Sequence, residues 1–145
     1  MTKRFDQARG LLREFKGDDY VFGLGCFDQL GHLAATYGQT VSVVTSGVGK
    51  DWGAPLHGKI RAAVDAAGLR LAGDLIPGAA PNAPREDVLR LADALREQNP
   101  DVVVSVGGGS GIDAVKCALA CVALGDVVDM DAFFGVGQVG TLLEQ

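Results

Sequence analysis

Aromatic residues are scarce in this chain of 145 residues, at 6%, although hydrophobic residues reach 48% and charged residues 21%. The interior must therefore be built mostly from aliphatic side chains, and the balance is that of a folded globular protein, not of a disordered one. The length suits one domain with one ordinary core. Lys and Arg nowhere cluster, and the formal net charge is -5 with a pI near 4.8. A polyanionic backbone would find no footprint, so nucleic acid is not an expected partner. No apolar run approaches the roughly 18 residues of a membrane span, and Met1–Lys16 mixes charged with apolar groups instead of building a signal peptide. No membrane partner and a cytoplasmic location are expected. Cysteine is sparse and odd in number, at 3, which reads as reduced thiols and not as a disulfide framework. Cys117 and Cys121 share a helical face, but no other Cys or His is grouped near them. Small buried hydrophobes are the expectation for both, not a metal-ligand pair.

Glycine is what the chain has in excess, 21 of 145 residues against an average of roughly 7%. Its placement follows an alternation of strands and helices. Thr2–Lys16 carries Phe5, Ala8, Leu11, Leu12 and Phe15 at helical spacing. Tyr20–Phe22 is a short strand candidate ended by Gly23-Leu24-Gly25, and Phe27, Leu30, Leu33, Ala34 and Tyr37 then mark a helix stopped by Gly38. A βαβαβ rhythm follows: strand Val41–Thr45, helix Pro55–Ala67, strand Leu69–Ile76, helix Pro84–Gln98 and strand Asp101–Val106. Buried strands separated by helices imply a parallel sheet with helices on both faces, a Rossmann-like α/β fold. Proline in the first turn of the Pro84 helix, and the stripe Val88, Leu89, Leu91, Ala92 and Leu95, fit a helix packed on that sheet. Asp101–Val106 is apolar on both faces and is expected to be a central strand. Ile112–Leu124 reads as an apolar helix ended by Gly125, and Asp131–Phe134 as one helical turn.

The best candidate site is Gly107-Gly108-Gly109-Ser110-Gly111, between a buried strand and a helix N-terminus. Open α/β sheets collect ligands in the crevice beyond such strand ends. Glycines let backbone approach a ligand with no Cβ in the way, and the first helical turn offers unpaired N–H donors and partial positive charge. A pyrophosphate meets those requirements. Ser110 can cap the helix or donate to a phosphate, and Asp113 suits a capping-box variant that turns back to the loop. The competing reading is a tight strand-to-helix turn with no ligand. Gly135-Val-Gly-Gln-Val-Gly140 matches the dinucleotide fingerprint G-x-G-x-x-G, but no strand candidate precedes it. Gly49-Lys50 fails as a phosphate-binding loop, because Asp51 and Val44 stand where Ser or Thr and the first glycine are required. His32 and His57 join no recognisable constellation, and surface or packing roles are expected. No catalytic group is visible.

The run Asp101-Val-Val-Val-Ser-Val-Gly-Gly-Gly-Ser-Gly-Ile-Asp-Ala-Val-Lys116 resembles the strand, G-G-G-S-x-x-D-x-x-K loop and helix of the iron-containing alcohol dehydrogenases. That family shares its architecture with glycerol dehydrogenase and dehydroquinate synthase. Phe22-Gly23-Leu24-Gly25, strand Val41–Thr45 and Pro81-Asn82-Ala83-Pro84 agree with it in order and spacing. The resemblance covers the chain from about Tyr20 onward. It implies an NAD or NADP site in which Gly107, Gly108, Gly109 and Ser110 contact the pyrophosphate and Asp113 supports the loop. It also implies that residues 1–145 correspond to the family's N-terminal domain alone. The helical domain that binds a divalent metal, iron or zinc, is then absent, and no metal ligand is carried over. Family members often place an aspartate after the second strand to bond the adenosine ribose. Ser46 stands there in this chain, which removes the charge repulsion against a 2′-phosphate, and Lys50 is near enough in sequence to meet one.

The family chemistry would be hydride transfer between a nicotinamide ring and a metal-polarised alcohol, aldehyde or ketone. This chain would hold the cofactor side and be inactive alone. Two further readings stay open. One is a stand-alone nucleotide-binding module without catalysis. The other is an interaction domain with a purely structural glycine loop, self-associating into a homo-oligomer through an exposed apolar face.

Overall fold

The structure is a computed structural model and describes residues 2–125, 131 and 137–144. Five successive aliphatic or hydroxyl side chains, Val41–Thr45, are all buried in strand β1 (Thr40–Thr45). Such a run forms where both faces of a sheet are covered. β4 (Val102–Val106) lies parallel along one edge of β1, in unbroken register from Val41↔Val102 to Thr45↔Val106. The opposite edge carries β2 (Arg70–Leu71) and β3 (Ile76–Pro77), both parallel as well. Pairing begins at Thr40↔Arg70 and resumes at Val44↔Ile76, so the outer chain uses six steps where β1 uses four. The strand expected over Leu69–Ile76 is therefore two short ones. Gly73 and Asp74 interrupt it, and Gln98 fills the break by donating from Nε2 to the Asp74 carbonyl at 2.9 Å while accepting from Ser42 Oγ at 2.6 Å.

Alternation along β1 divides the core in two. Val41 and Val43 face a cluster with Ala34, Ile60 and Val64, from helices α2 (Leu30–Ala35) and α3 (Ala54–Ala66). Val44 faces the other way, onto Val88, Leu91, Leu95, Ala114 and Ala118 from α4 (Arg85–Gln98) and α5 (Gly109–Leu124). Helices thus cover both faces of a parallel sheet, as expected. The central place of Asp101–Val106 is not what forms. Among the described residues β4 pairs with β1 alone, and each of its residues is only half-buried. Val103 packs with the α4–α5 cluster, while Val102, Val104 and Val106 pack with the other. An apolar pattern reports covered faces and says nothing of edges, which is why β1, not β4, is central.

The remaining differences are local. α1 (Thr2–Lys16) forms as the spacing predicts, but Phe5, Leu11 and Phe15 remain exposed. Tyr20–Phe22 pairs with no strand, and the helix expected from Phe27 is a 3-10 turn at Cys26–Gln29 followed by α2. Leu89 lies off the buried stripe of α4. α6 (Gln138–Leu143) absorbs the last residues of the Gly135–Gly140 motif, whose first two lie outside the described residues, as does most of the turn expected at Asp131–Phe134. Among the described residues no helix is long and apolar enough to cross a membrane.

Two devices lock the layers. α2 rides on α3 at Gly31, where a Cβ would stand 1.9 Å from the Ala63 carbonyl oxygen and 2.9 Å from the Ala67 Cβ. Backbone blocks the space, so no side-chain rotation relieves the clash. At the head of the sheet, Asp101 Oδ2 accepts from the backbone N–H groups of Gln39 at 2.9 Å and Thr40 at 2.8 Å. The Asp101 N–H donates in turn to Thr40 Oγ1 at 3.0 Å. These backbone donors, Gln39 first, hold the Asp101 carboxyl below the usual aspartate range.

Gly31→Ala should lower stability by about 1–3 kcal/mol, the usual cost of overpacking a close helix contact; an unchanged urea midpoint would remove the close α2–α3 approach. For Asp101, the lowered folded-state pKa means that its contribution is present above the unfolded-state value and is lost as pH falls through the folded value. Asp101→Ala should therefore unfold at lower temperature than wild type at neutral pH, with the gap closing below the ordinary carboxylate range. Thermal melts across that range check this, and a gap independent of pH would contradict it.

Candidate functional site

The C-terminal ends of β1, β3 and β4 open into a crevice of about 260 Å³. Its walls are Thr45 at the end of β1 and Ser46 after it, Gly78, Ala79 and Pro81 after β3, and Gly107 through Gly111 after β4. The connection from β4 to α5 is shorter than the sequence implies, because Gly109, Ser110 and Gly111 already form the first turn of the helix. Only Gly107 and Gly108 remain as loop. Gly108 is the extended N-cap residue, its carbonyl accepting from Ile112 N–H at 3.1 Å, and no side chain caps the helix. The amides of Gly109, Ser110 and Gly111 are therefore left without intrahelical partners at the positive end of a long helix dipole.

The fold itself does not ask for glycine at these places. None of Gly107, Gly108, Gly109 and Gly111 has a positive φ. A Cβ on Gly108, Gly109 or Gly111 would meet nothing within 4 Å, and one on Gly107 would come only to 3.8 Å from Ser46 Oγ. A tight turn would show left-handed backbone or a crowded Cβ position. Neither is present at these four glycines. What the missing side chains leave is open space over a row of amide donors.

Ser110 and Ser46 both reach this crevice. Ser110 does not cap its helix. Its Oγ accepts from the Asn82 N–H at 3.3 Å, tying the loop after β3 to α5 while leaving the hydroxyl proton free to donate. Asn82 and Ala83 hold positive φ values of 68° and 49° in that loop. Asp113 is not brought to the crevice: its carboxylate is exposed and lies 3.8 Å from Lys116 Nζ. The expected capping-box bond is absent. At the rim, Thr45 Oγ1 is buried and has no hydrogen-bond partner among the described residues.

Sequence reading missed the pair that shapes the far wall. Asp87 Oδ2 accepts from Ala80 N–H at 2.8 Å, and its Oδ1 accepts from Arg90 Nη2 at 2.9 Å and Nε at 3.1 Å. Arg90 donates onward to the carbonyls of Pro77 at 3.0 Å and Gly78 at 3.1 Å. One guanidinium and one carboxylate thus hold the whole turn from Pro77 to Ala80. The Ala80 N–H, then Arg90, keep the Asp87 carboxyl below its usual range. In sequence the two residues look like an ordinary i,i+3 surface pair, and nothing announces that both reach back to the sheet.

The near wall is held by a histidine that the sequence left without a role. His57 Nε2 lies 3.0 Å from the Ser46 carbonyl oxygen, which can only accept, so the ring donates. That bond positions the loop after β1. His32 is exposed on α2. The cysteines divide: Cys121 is buried among the α4–α5 core, where burial pushes its thiol up, whereas Cys117 is exposed, contrary to expectation. The face they share turns between core and solvent within one helical turn. Among the described residues no three His, Cys, Asp or Glu side chains gather where a metal ion could be held. What the crevice does offer is an open cradle of glycines beside the unpartnered amides of the first α5 turn, the chemistry of an anion site.

No curated protein matches the chain. A family model described as iron-containing alcohol dehydrogenase matches residues 17–142. The matched span takes in every strand of the sheet, both walls of the crevice and the glycine-lined helix start between them. The chain belongs to the iron-containing alcohol dehydrogenase family.

Proposed function

We propose that this chain is the NAD(P)-binding N-terminal domain of a metal-dependent alcohol dehydrogenase that interconverts an alcohol with an aldehyde or ketone. The observation that carries the reading is the run of glycines at Gly107–Gly111, which the local backbone does not need and which leaves uncapped amides facing an open crevice. A pyrophosphate seated there would take the amides of the first α5 turn and the hydroxyl of Ser110. Ser46 would border the adenosine ribose. With serine in place of an aspartate, and Lys50 four residues further along the same loop, NADP is accepted as well as NAD. When bound, the nicotinamide ring supplies or accepts the hydride. The chain's own contribution is to bind and orient the dinucleotide. Asp113, exposed beside Lys116, supports the helix surface in this reading and not the phosphates. The divalent metal, iron or zinc, belongs in this proposal to a separate helical domain, and 1–145 alone does not turn over.

Two measurements test this. In an amide NMR titration with NADH and then NADPH, shifts should centre on Gly107–Ser110 and Ser46. Gly109→Ala with Gly111→Ala should weaken that binding by about tenfold or more, while stability stays level or rises by roughly 0.5–1 kcal/mol per site because alanine is the better helix former. Alanine variants that bind like wild type, or silence of the wild type at millimolar cofactor, would refute the site. The purified chain, supplied with iron or zinc and either cofactor, should show no alcohol oxidation; clear metal-dependent turnover would overturn the assignment to a cofactor domain.

A further inference from the structure

The chain has one tryptophan, and it is left largely in solvent: Trp52 is 68% exposed. Large aromatic rings are strongly driven to burial, so a fixed and exposed indole is informative in a way that an exposed aliphatic is not. Trp52 is indeed fixed. It lies in the 3-10 turn Asp51–Gly53 that leads into α3, with its six-membered ring against Gly47. A Cβ on Gly47 would meet both Cη2 and Cζ3 at 2.7 Å, and Gly47 holds a φ of 75°, so only glycine admits the ring at that place. The loop between them is tied twice more. Lys50 N–H donates to the Gly47 carbonyl at 3.0 Å, and His57 holds the Ser46 carbonyl at 3.0 Å.

Ser46 is the residue that joins this knot to the crevice, since it lines the crevice wall and precedes the glycine on which the indole rests. A dinucleotide whose pyrophosphate sits at Gly107–Ser110 carries its adenosine a few ångströms to one side. The wall after β3 is held by the Asp87–Arg90 pair, while next to Ser46, outside the crevice lining itself, the Trp52 ring lies against Gly47 and is largely exposed. We propose that Trp52 is the stacking platform for the adenine ring of that dinucleotide, an inference that rests on the cofactor reading above. Every purine presents a π-face, and an indole held in place loses little freedom on meeting one.

The test uses the whole chain and two probes, ADP and inorganic pyrophosphate. ADP should quench the Trp52 fluorescence saturably, and pyrophosphate should not. By amide titration, Trp52→Ala should weaken ADP roughly five- to hundredfold and leave pyrophosphate unchanged, with Trp52→Phe retaining most of the ADP affinity. If the wild type binds both probes at Gly107–Ser110 but Trp52→Ala leaves ADP affinity unaltered, or weakens both probes equally, the platform is refuted while the cofactor site stands. If neither probe shifts Gly107–Ser110 in the wild type, the cofactor reading fails and the platform falls with it.

Discussion

Five consecutive residue pairs, from Val41↔Val102 to Thr45↔Val106, hold β1 against β4, and the position of the crevice walls beside them follows from that register. A slip of one residue would turn the valines of β1 from one helical layer to the other, so both cores fix it. Asp101 fixes it again from the far end by taking the N–H groups of Gln39 and Thr40. Because the two strands start level they also end level. Ser46 therefore arrives beside Gly107, and the backbone of one strand end becomes the wall of the site built on the other.

The site is largely made of absences supported by distant presences. Its floor consists of amides and missing side chains, while the groups that give it shape stand behind it. Asp87 and Arg90 hold the turn after β3, His57 holds the loop after β1, and Ser110 receives an amide from the β3 side. None of the three devices places a charged group among the crevice-lining residues. This leaves the helix dipole and the first-turn amides as the local source of positive potential, an arrangement suited to holding an anion.

Much of this could be read from the chain. The strand-and-helix rhythm, the parallel sheet and the glycine turn at Gly107–Gly111 were legible because buried aliphatic runs and glycine clusters are local signals. Edge position was not, since β4 and β1 carry the same valine-rich pattern and only pairing tells them apart. The broken strand at Gly73–Asp74 depends on Gln98, which is distant in sequence. Tyr20–Phe22 has strand composition but finds no ladder. The roles of Arg90 and His57 were hidden for the same reason, because each acts on backbone carbonyls, and carbonyls have no sequence. Asp113 shows the converse, a residue in the right motif position whose side chain lies elsewhere.

The outer edge of β4 has a consequence for how this molecule behaves in company. Among the described residues Val102–Val106 bond to a neighbour on one side only, so alternate N–H and C=O groups point outward from a five-residue stretch with no proline, lysine or bulge to blunt it. Val21, Phe27 and Tyr37 line an apolar groove beside that same stretch. Water can satisfy the polar groups of such an edge but not the groove, and a strand can satisfy both. Among the described residues the strand that ends in the glycine cradle thus has a bare backbone edge and an apolar groove side by side, a combination that solvent satisfies only in its polar half.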